Sequence, residues 1–487
     1  RAAANASPTA SANHASANGI YCSGTGSSGA VANNSGIIVT NCNIYNWFLT
    51  GAAITSAGIQ VAAGGSAWTI SNNSFYQTNT RTSTVGIATV RGIQIQVGNG
   101  YTISSNFIGG NATTAGGTAF TLNGAFANVF QGMNIATGTT ASTSISSNTI
   151  TNINFSSTLT GTTIPGSFAG IYMAGASVNV SGNTIGATTG TGSIVIHSTA
   201  SAATSCAALG IGFASTTRGT ITNNNIGSIT LSASSATPAH TFRGIWISSG
   251  SSAVVLDITG NLIGSTTTAN SIQATHSTTS AAVEITGILS ASTAPTLNIS
   301  SNTISNLRIT SGSNSTSCMI RGIVASANTQ HTITNNTIRD FNSSSVNVGT
   351  GTSSSVQGIQ LSMSSTTSNQ TVTGNTIHSL KNSNTTAGVT VSGIVATWSI
   401  SGNPTLLVSA NNIHSLSTTG LVSSHVQGIL ISNGTATYSN NMIRMGYDES
   451  GAATTLGQTI YGIREAGGTN TILHNTVFVG GTGVGGS

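Results

Sequence analysis

Charge is what this sequence has least of: 3% of its 487 residues are charged, and Lys381 is its one lysine. The formal charge of +5 comes from 11 basic and 6 acidic residues. That mild excess lacks the clustered Lys and Arg of a nucleic-acid surface, so no nucleic-acid partner is expected. No apolar run approaches the roughly 18 residues of a membrane-spanning helix, so no membrane span is expected. The opening Arg1-Ala2-Ala3-Ala4-Asn5 has no apolar core of a signal peptide, so the chain reads as processed or clipped. Cysteine is scarce too, at four, and no Cys-x-x-Cys spacing occurs, so neither metal nor cofactor is expected. Aromatics are 5% of the chain, too few for an evident sugar-stacking platform.

What fills the chain instead is Gly, Ser, Thr and Asn, together with 38% hydrophobic residues. Polarity without charge can mean disorder. A repeat argues otherwise. The hexapeptide Ile333-Thr334-Asn335-Asn336-Thr337-Ile338 recurs along the chain as [Ile/Val]-[Ser/Thr]-x-Asn-x-[Ile/Val/Phe]. Its Asn falls at Asn73, Asn106, Asn148, Asn183, Asn224, Asn261, Asn302, Asn336, Asn375, Asn411, Asn441 and Asn475. A thirteenth copy, Val39 to Ile44, has Cys42 in place of the Asn. Spacings run from 30 to 42 residues, the period of a solenoid.

Each copy predicts a half-buried strand, apolar in and hydroxyl out, then a corner. The x position is Gly or Asn in eight of thirteen copies, the residues that adopt positive φ most cheaply. If each unit is one coil, successive Asn side chains stack about 4.8 Å apart. An inward amide can then donate to one neighbour and accept from the other, a ladder whose broken rung would cost roughly 1–3 kcal/mol. Ser343 falls in what reads as a variable loop, where a change should cost little. A second unit, Gly followed by an apolar residue, recurs 13 to 18 residues before each Asn, from Gly58 and Gly92 to Gly428 and Gly462. Period-two apolar residues follow it, predicting another strand with one face inward.

Gly-Ile-x-Ile strands, a Gly or Asn corner and an inward Asn ladder resemble the right-handed parallel β-helix of the pectate-lyase-like superfamily, in particular its bacterial extracellular repeat proteins. The resemblance runs from about Gly19 to Val479. It implies an all-β solenoid of about 12–13 coils, with residues 1–18 as a low-complexity leading segment and 19–487 as a single domain. Cys22 and Cys42 fall at inward positions of the first coil and are candidates for a disulfide. Cys206 and Cys318 lie three coils apart, roughly 14 Å at strand spacing, too far to bridge.

The fold serves lyases, hydrolases, spikes, adhesins and surface proteins alike, so function must come from a site. A polysaccharide lyase or hydrolase needs carboxylates gathered on one face. The six acids, Asp257, Glu284, Asp340, Asp448, Glu449 and Glu465, sit at different offsets from the repeat Asn, and only Asp448 and Glu449 are neighbours. No catalytic residue is expected. Arg91, Arg243 and Arg321 each precede a repeat Gly in non-adjacent coils, so they are not expected to form a stripe. One column does stand out: the residue three after the Asn is Arg339, His378, His414 and Arg444 in four consecutive coils. It predicts a stripe that is either a solvated face or a groove for anions, such as an acidic polysaccharide or a partner's carboxylates. The expected function is a non-catalytic structural protein, secreted to the cell exterior, forming a segment or subunit of a fibre or surface assembly. It would self-associate or continue into a larger chain. A polysaccharide-binding adhesin or spike is the alternative, and an enzyme on polysaccharide stands behind it.

Overall fold

A computed structural model of the chain describes residues 17–482, except 24–33, 51–54, 139, 160–164, 176, 201–204, 215–217, 234–238, 249–254, 276–281, 292–295, 311–316, 327–328 and 401–403. All but two residues of the leading segment 1–18 lie outside this description. Residues Arg1–Pro238 and Ala239–Ser487 form two compact units, each a stack of coils.

In the first unit, strands Asn18–Ser23, Thr55–Ala63, Thr89–Ile95, Val129–Ile135, Phe168–Met173 and Ser205–Phe213 pair side by side, all parallel. These carry the repeat Gly and form the glycine sheet. Short strands such as Thr69–Ser71 and Thr102–Ser104, which precede each corner, stack into a second sheet. The strands after each corner, such as Ser74–Tyr76 and Phe107–Ile108, stack into a third. The second unit repeats the scheme. Its glycine sheet runs from Ala239–Ile247 to Thr459–Glu465, its second sheet from Val255–Thr259 to Thr471–Leu473, and its third from Leu262–Gly264 to Thr476–Val479. The chain visits three sheets in turn and then pairs with itself one coil further on. That is a parallel β-solenoid. Helix among the described residues is limited to two 3-10 turns, Thr113–Ala115 and Gly351–Ser353.

The corners are where local preference and coil register compete. All thirteen x positions have positive φ: the eight Gly and Asn as expected, and also Ser105, Ser147, Ser301, Ala410 and His474, at φ 53 to 56°. A left-handed conformation costs a residue with a Cβ roughly 1–2 kcal/mol. Register prevails at these five because a slipped strand would turn its whole apolar set to solvent. A second corner, absent from the sequence reading, lies four residues after the ladder Asn. Asn152, Ser228, Asn306, Asp340, Ser379 and Ser415 are all left-handed there, at φ 55 to 59°. It bends the third sheet in those six coils.

The repeat Gly has a different cause. A Cβ on Gly393 would lie 2.6 Å from the carbonyl oxygen of Gly428 and 2.7 Å from Cγ2 of Ile413. Gly322 meets Gly358 and Ile338 in the same way. The glycine column is the slot into which the Ile two residues after each ladder Asn inserts. Around it the core is closed, with Ile93, Ile95, Ile103 and Ile108 fully buried. Ser343 ends the strand Thr337–Ser343 and is fully buried, its hydroxyl donating to Ser345, so the expectation of a tolerant loop position is corrected.

Candidate functional site

The ladder is the most regular polar structure in either unit. Oδ1 of Asn336 accepts from the backbone N–H of Asn302 at 3.0 Å and from its Nδ2 at 2.9 Å. Asn336 makes the same pair of bonds to Asn375, and its Nδ2 also donates to the Ile299 carbonyl at 2.9 Å. Each interior rung therefore satisfies its carbonyl and both amide protons, as a buried amide must. The pattern runs from Asn73 through Asn106, Asn148 and Asn183 to Asn224 in the first unit. In the second it runs from Asn261 through Asn302, Asn336, Asn375, Asn411 and Asn441 to Asn475.

At Cys42 the ladder has a backbone bond alone: its N–H donates to Oδ1 of Asn73 at 2.9 Å. Its thiol turns back to the Thr40 carbonyl, while Cys22 donates to the Ala63 carbonyl at 3.3 Å. Both thiols are free, so the candidate disulfide is not formed. The two sulfurs point at different carbonyls, one on the glycine sheet and one at the corner. Cys318 is also free and buried, and the side chain of Cys206 lies outside the described residues.

The predicted stripe is brought together. Arg339 pairs in register with His378, His378 with His414, and His414 with Arg444, all on the third sheet of the second unit. The two imidazoles stack, with centroids 4.9 Å apart and planes 6° from parallel. Nδ1 of His378 lies 2.9 Å from the Ser379 hydroxyl and Nδ1 of His414 3.0 Å from that of Ser415. The serines come from the second corner, so the bend orients the rings. The Arg444 guanidinium sits 4.2 Å over the Tyr447 ring, a cation–π contact.

Acids also gather here, which spacing along the repeat did not reveal. Asp340 pairs with Arg339, and Glu449 bonds Lys381 at 2.8 Å and the Ser417 hydroxyl at 3.3 Å. Asp448 caps its own turn by accepting from the N–H groups of Ser450 and Ala452. The stripe is thus a mixed ionic face. Burial holds His378 below the ordinary imidazole range, with His414 adding to the depression and Asp340 opposing it. Burial, then Arg444, does the same to His414. Both rings are neutral at pH 7, and the cations of the column are the arginines.

The remaining acids are structural in their contacts. Asp257 accepts from Asn298 at 2.7 Å, and Glu465 from Asn470 at 2.7 Å. Glu284 pairs with Arg321 at 2.5 Å and is felt by Arg243, so two of the arginines expected to stand apart share one carboxylate. No group of three His, Cys, Asp or Glu placed to hold a metal occurs among the described residues, nor a helix long and apolar enough to cross a membrane.

Two buried histidines, His240 and His331, were missed. His331 is fully inside, where the matching residues of flanking strands are Leu297 and, beyond Gln370, Leu406. Gln370 Nε2 donates to the carbonyls of Thr329 and Ser368, which leaves its Oε1 to accept from Nδ1 of His331 at 3.1 Å. Nε2 then accepts from the Ser290 hydroxyl at 3.0 Å, fixing a neutral ring. Period two from Ile333 places His331 inward, and that was the available signal. No protein-family model, curated protein or solved structure matches this chain.

Proposed function

We propose that the chain is a non-catalytic structural segment of a protein of the cell exterior, working as a section or subunit of a fibre or surface assembly. The observation that carries this reading is the ladder. One buried side chain, with one set of bonds, is repeated coil after coil within each unit. Such regularity builds length and stiffness, and it is spent on the interior rather than on a cleft. The outward positions beside it are mostly Ser and Thr, which solvate a strand without charge. Self-association and a secreted location belong to the same proposal. Electron microscopy of the native material tests it: fibres or surface arrays with a repeating contact between chains are expected, and isolated monomeric rods would contradict it. Cleavage of an acidic polysaccharide that is lost on replacing a single Asp or Glu would overturn the non-catalytic part.

The ionic face favours a second reading, an adhesin that meets an anionic partner such as an acidic polysaccharide. Arg339, His378, His414 and Arg444 present one group per coil at the spacing of paired strands. Binding that weakens with salt and with the paired change of Arg339 and Arg444 to Gln would favour it.

A further inference from the structure

Residues 1–256 contain neither Asp nor Glu, so the first unit has no side-chain carboxylate at all. It nevertheless holds a partly buried arginine on its glycine sheet. Arg91 lies between Val90, which is fully buried, and Gly92, which abuts Ile108. Its side chain is therefore on the outer face. Nε donates to Oε1 of Gln131 at 2.6 Å, in register on the next strand. Among the described residues nothing bonds its two terminal Nη groups. Burial lowers its pKa to about 10. A guanidinium withdrawn from water with no counter-charge is unfavourable unless something else supplies that charge.

The neighbours are polar and equally ordered. Oε1 of Gln131 also accepts from Asn134 at 2.7 Å, so one amide clamps the guanidinium and a second amide together. Gln94, the next outward residue of the Arg91 strand, is 3% exposed, and its Oε1 has no partner. Gln60, Gln94, Asn134 and Tyr172 stand in register on four successive strands. A free two-pronged donor thus shares the outer face of one strand with an unpaired buried acceptor three residues on, and amides and a phenol stand in register with that acceptor.

We propose that this patch is a binding subsite for a hydroxy-carboxylate, a carboxylate group with a hydroxyl on the adjacent carbon. The carboxylate takes the Nη edge of Arg91 in the planar, two-bond geometry that guanidinium favours. The hydroxyl donates to Oε1 of Gln94 once that covered amide turns outward to meet it. Gln131 is a positioning residue, since it holds Nε and so turns the Nη edge outward.

Titration calorimetry of the full chain at low salt tests this with four probes: gluconate, its neutral counterpart sorbitol, acetate and sulfate. Gluconate should bind, more tightly than acetate or sulfate, and sorbitol should not. Arg91→Gln should weaken gluconate about tenfold or more, the usual loss of a charge-assisted pair. It should also leave the ligand-free melting temperature unchanged or raised, because an uncompensated buried charge is removed. Gln94→Leu should abolish the preference for gluconate over acetate while leaving acetate binding intact. Arg218→Gln, an exposed arginine of the same unit, should change nothing. No heat with gluconate, or equal gluconate binding in Arg91→Gln, would overturn the subsite. Sulfate binding as tightly as gluconate, or an unchanged preference in Gln94→Leu, would overturn the hydroxyl assignment. A ligand-free melting temperature lowered in Arg91→Gln, with no gluconate binding by the parent chain, would make Arg91 a structural residue.

Discussion

A ladder asparagine is held by its neighbours rather than by its own strand. Asn336 accepts two bonds from Asn302 and gives two to Asn375. Asn336→Leu removes the acceptor of one rung and the donor of the other, and leaves buried groups unpaired. The expected loss is roughly 1–3 kcal/mol, read as a lower urea midpoint. Thr385→Ala, at an exposed position without a bond, should shift it by less than about 0.5 kcal/mol. His331 gives a second residue-scale effect with a definite sign. Burial lowers its pKa to about 4 in the folded chain, against about 6.5 when unfolded. Between those values the unfolded chain binds the extra proton, so the contribution is complete above about pH 6.5 and is lost as pH falls toward 4. The loss is on the order of 3 kcal/mol. Unfolding midpoints at pH 7.5 and 4.5 should differ clearly in the parent and much less in His331→Gln. The ladder was legible because twelve Asn recur in one register. His331 was not, because a single inward polar residue breaks no pattern.

At the scale of the coil, the corner and the glycine slot carry opposite sensitivities. Ala410 is left-handed at φ 53°, a conformation its Cβ disfavours. Ala410→Gly should therefore raise the melting temperature, by an amount equivalent to about 0.5–1 kcal/mol. Gly393→Ala should lower it, since its Cβ would meet Gly428 and Ile413 below 3 Å, with overpacking costs of about 1–3 kcal/mol. Thermal melts of the two single variants check both signs together. Eight of the thirteen corners could be read from Gly or Asn. The other five could not, because coil register overrides the local preference of Ser, Ala and His. The second corner stayed hidden because Asn, Ser and Asp are common surface residues and carry no apolar period. The recurring Gly was seen, but its cause, a close approach of Ile from the third sheet, belongs to tertiary structure.

Over the whole molecule, charge is distributed unevenly and the sequence shows this only in part. The column Arg339, His378, His414 and Arg444 was readable from its constant offset. Its acidic partners were not: Glu449 reaches Lys381 from a turn 68 residues further on. Anion binding at this face should therefore rest on the arginines at pH 7. It should gain from the histidines at pH values below the ordinary imidazole range, because burial lowers both. Binding of a polyuronate measured at pH 7 and pH 5 should show the gain, and His378→Gln with His414→Gln should remove it. The stacked interior amides hold successive coils in register, and proton exchange of asparagine side chains labelled with nitrogen-15 measures them directly. The buried ladder Nδ2 groups, from Asn106 to Asn411, should exchange far more slowly than those of exposed asparagines, and Asn336→Ser should accelerate Asn302 and Asn375 first. Ladder amides that exchange as fast as exposed ones would contradict this role.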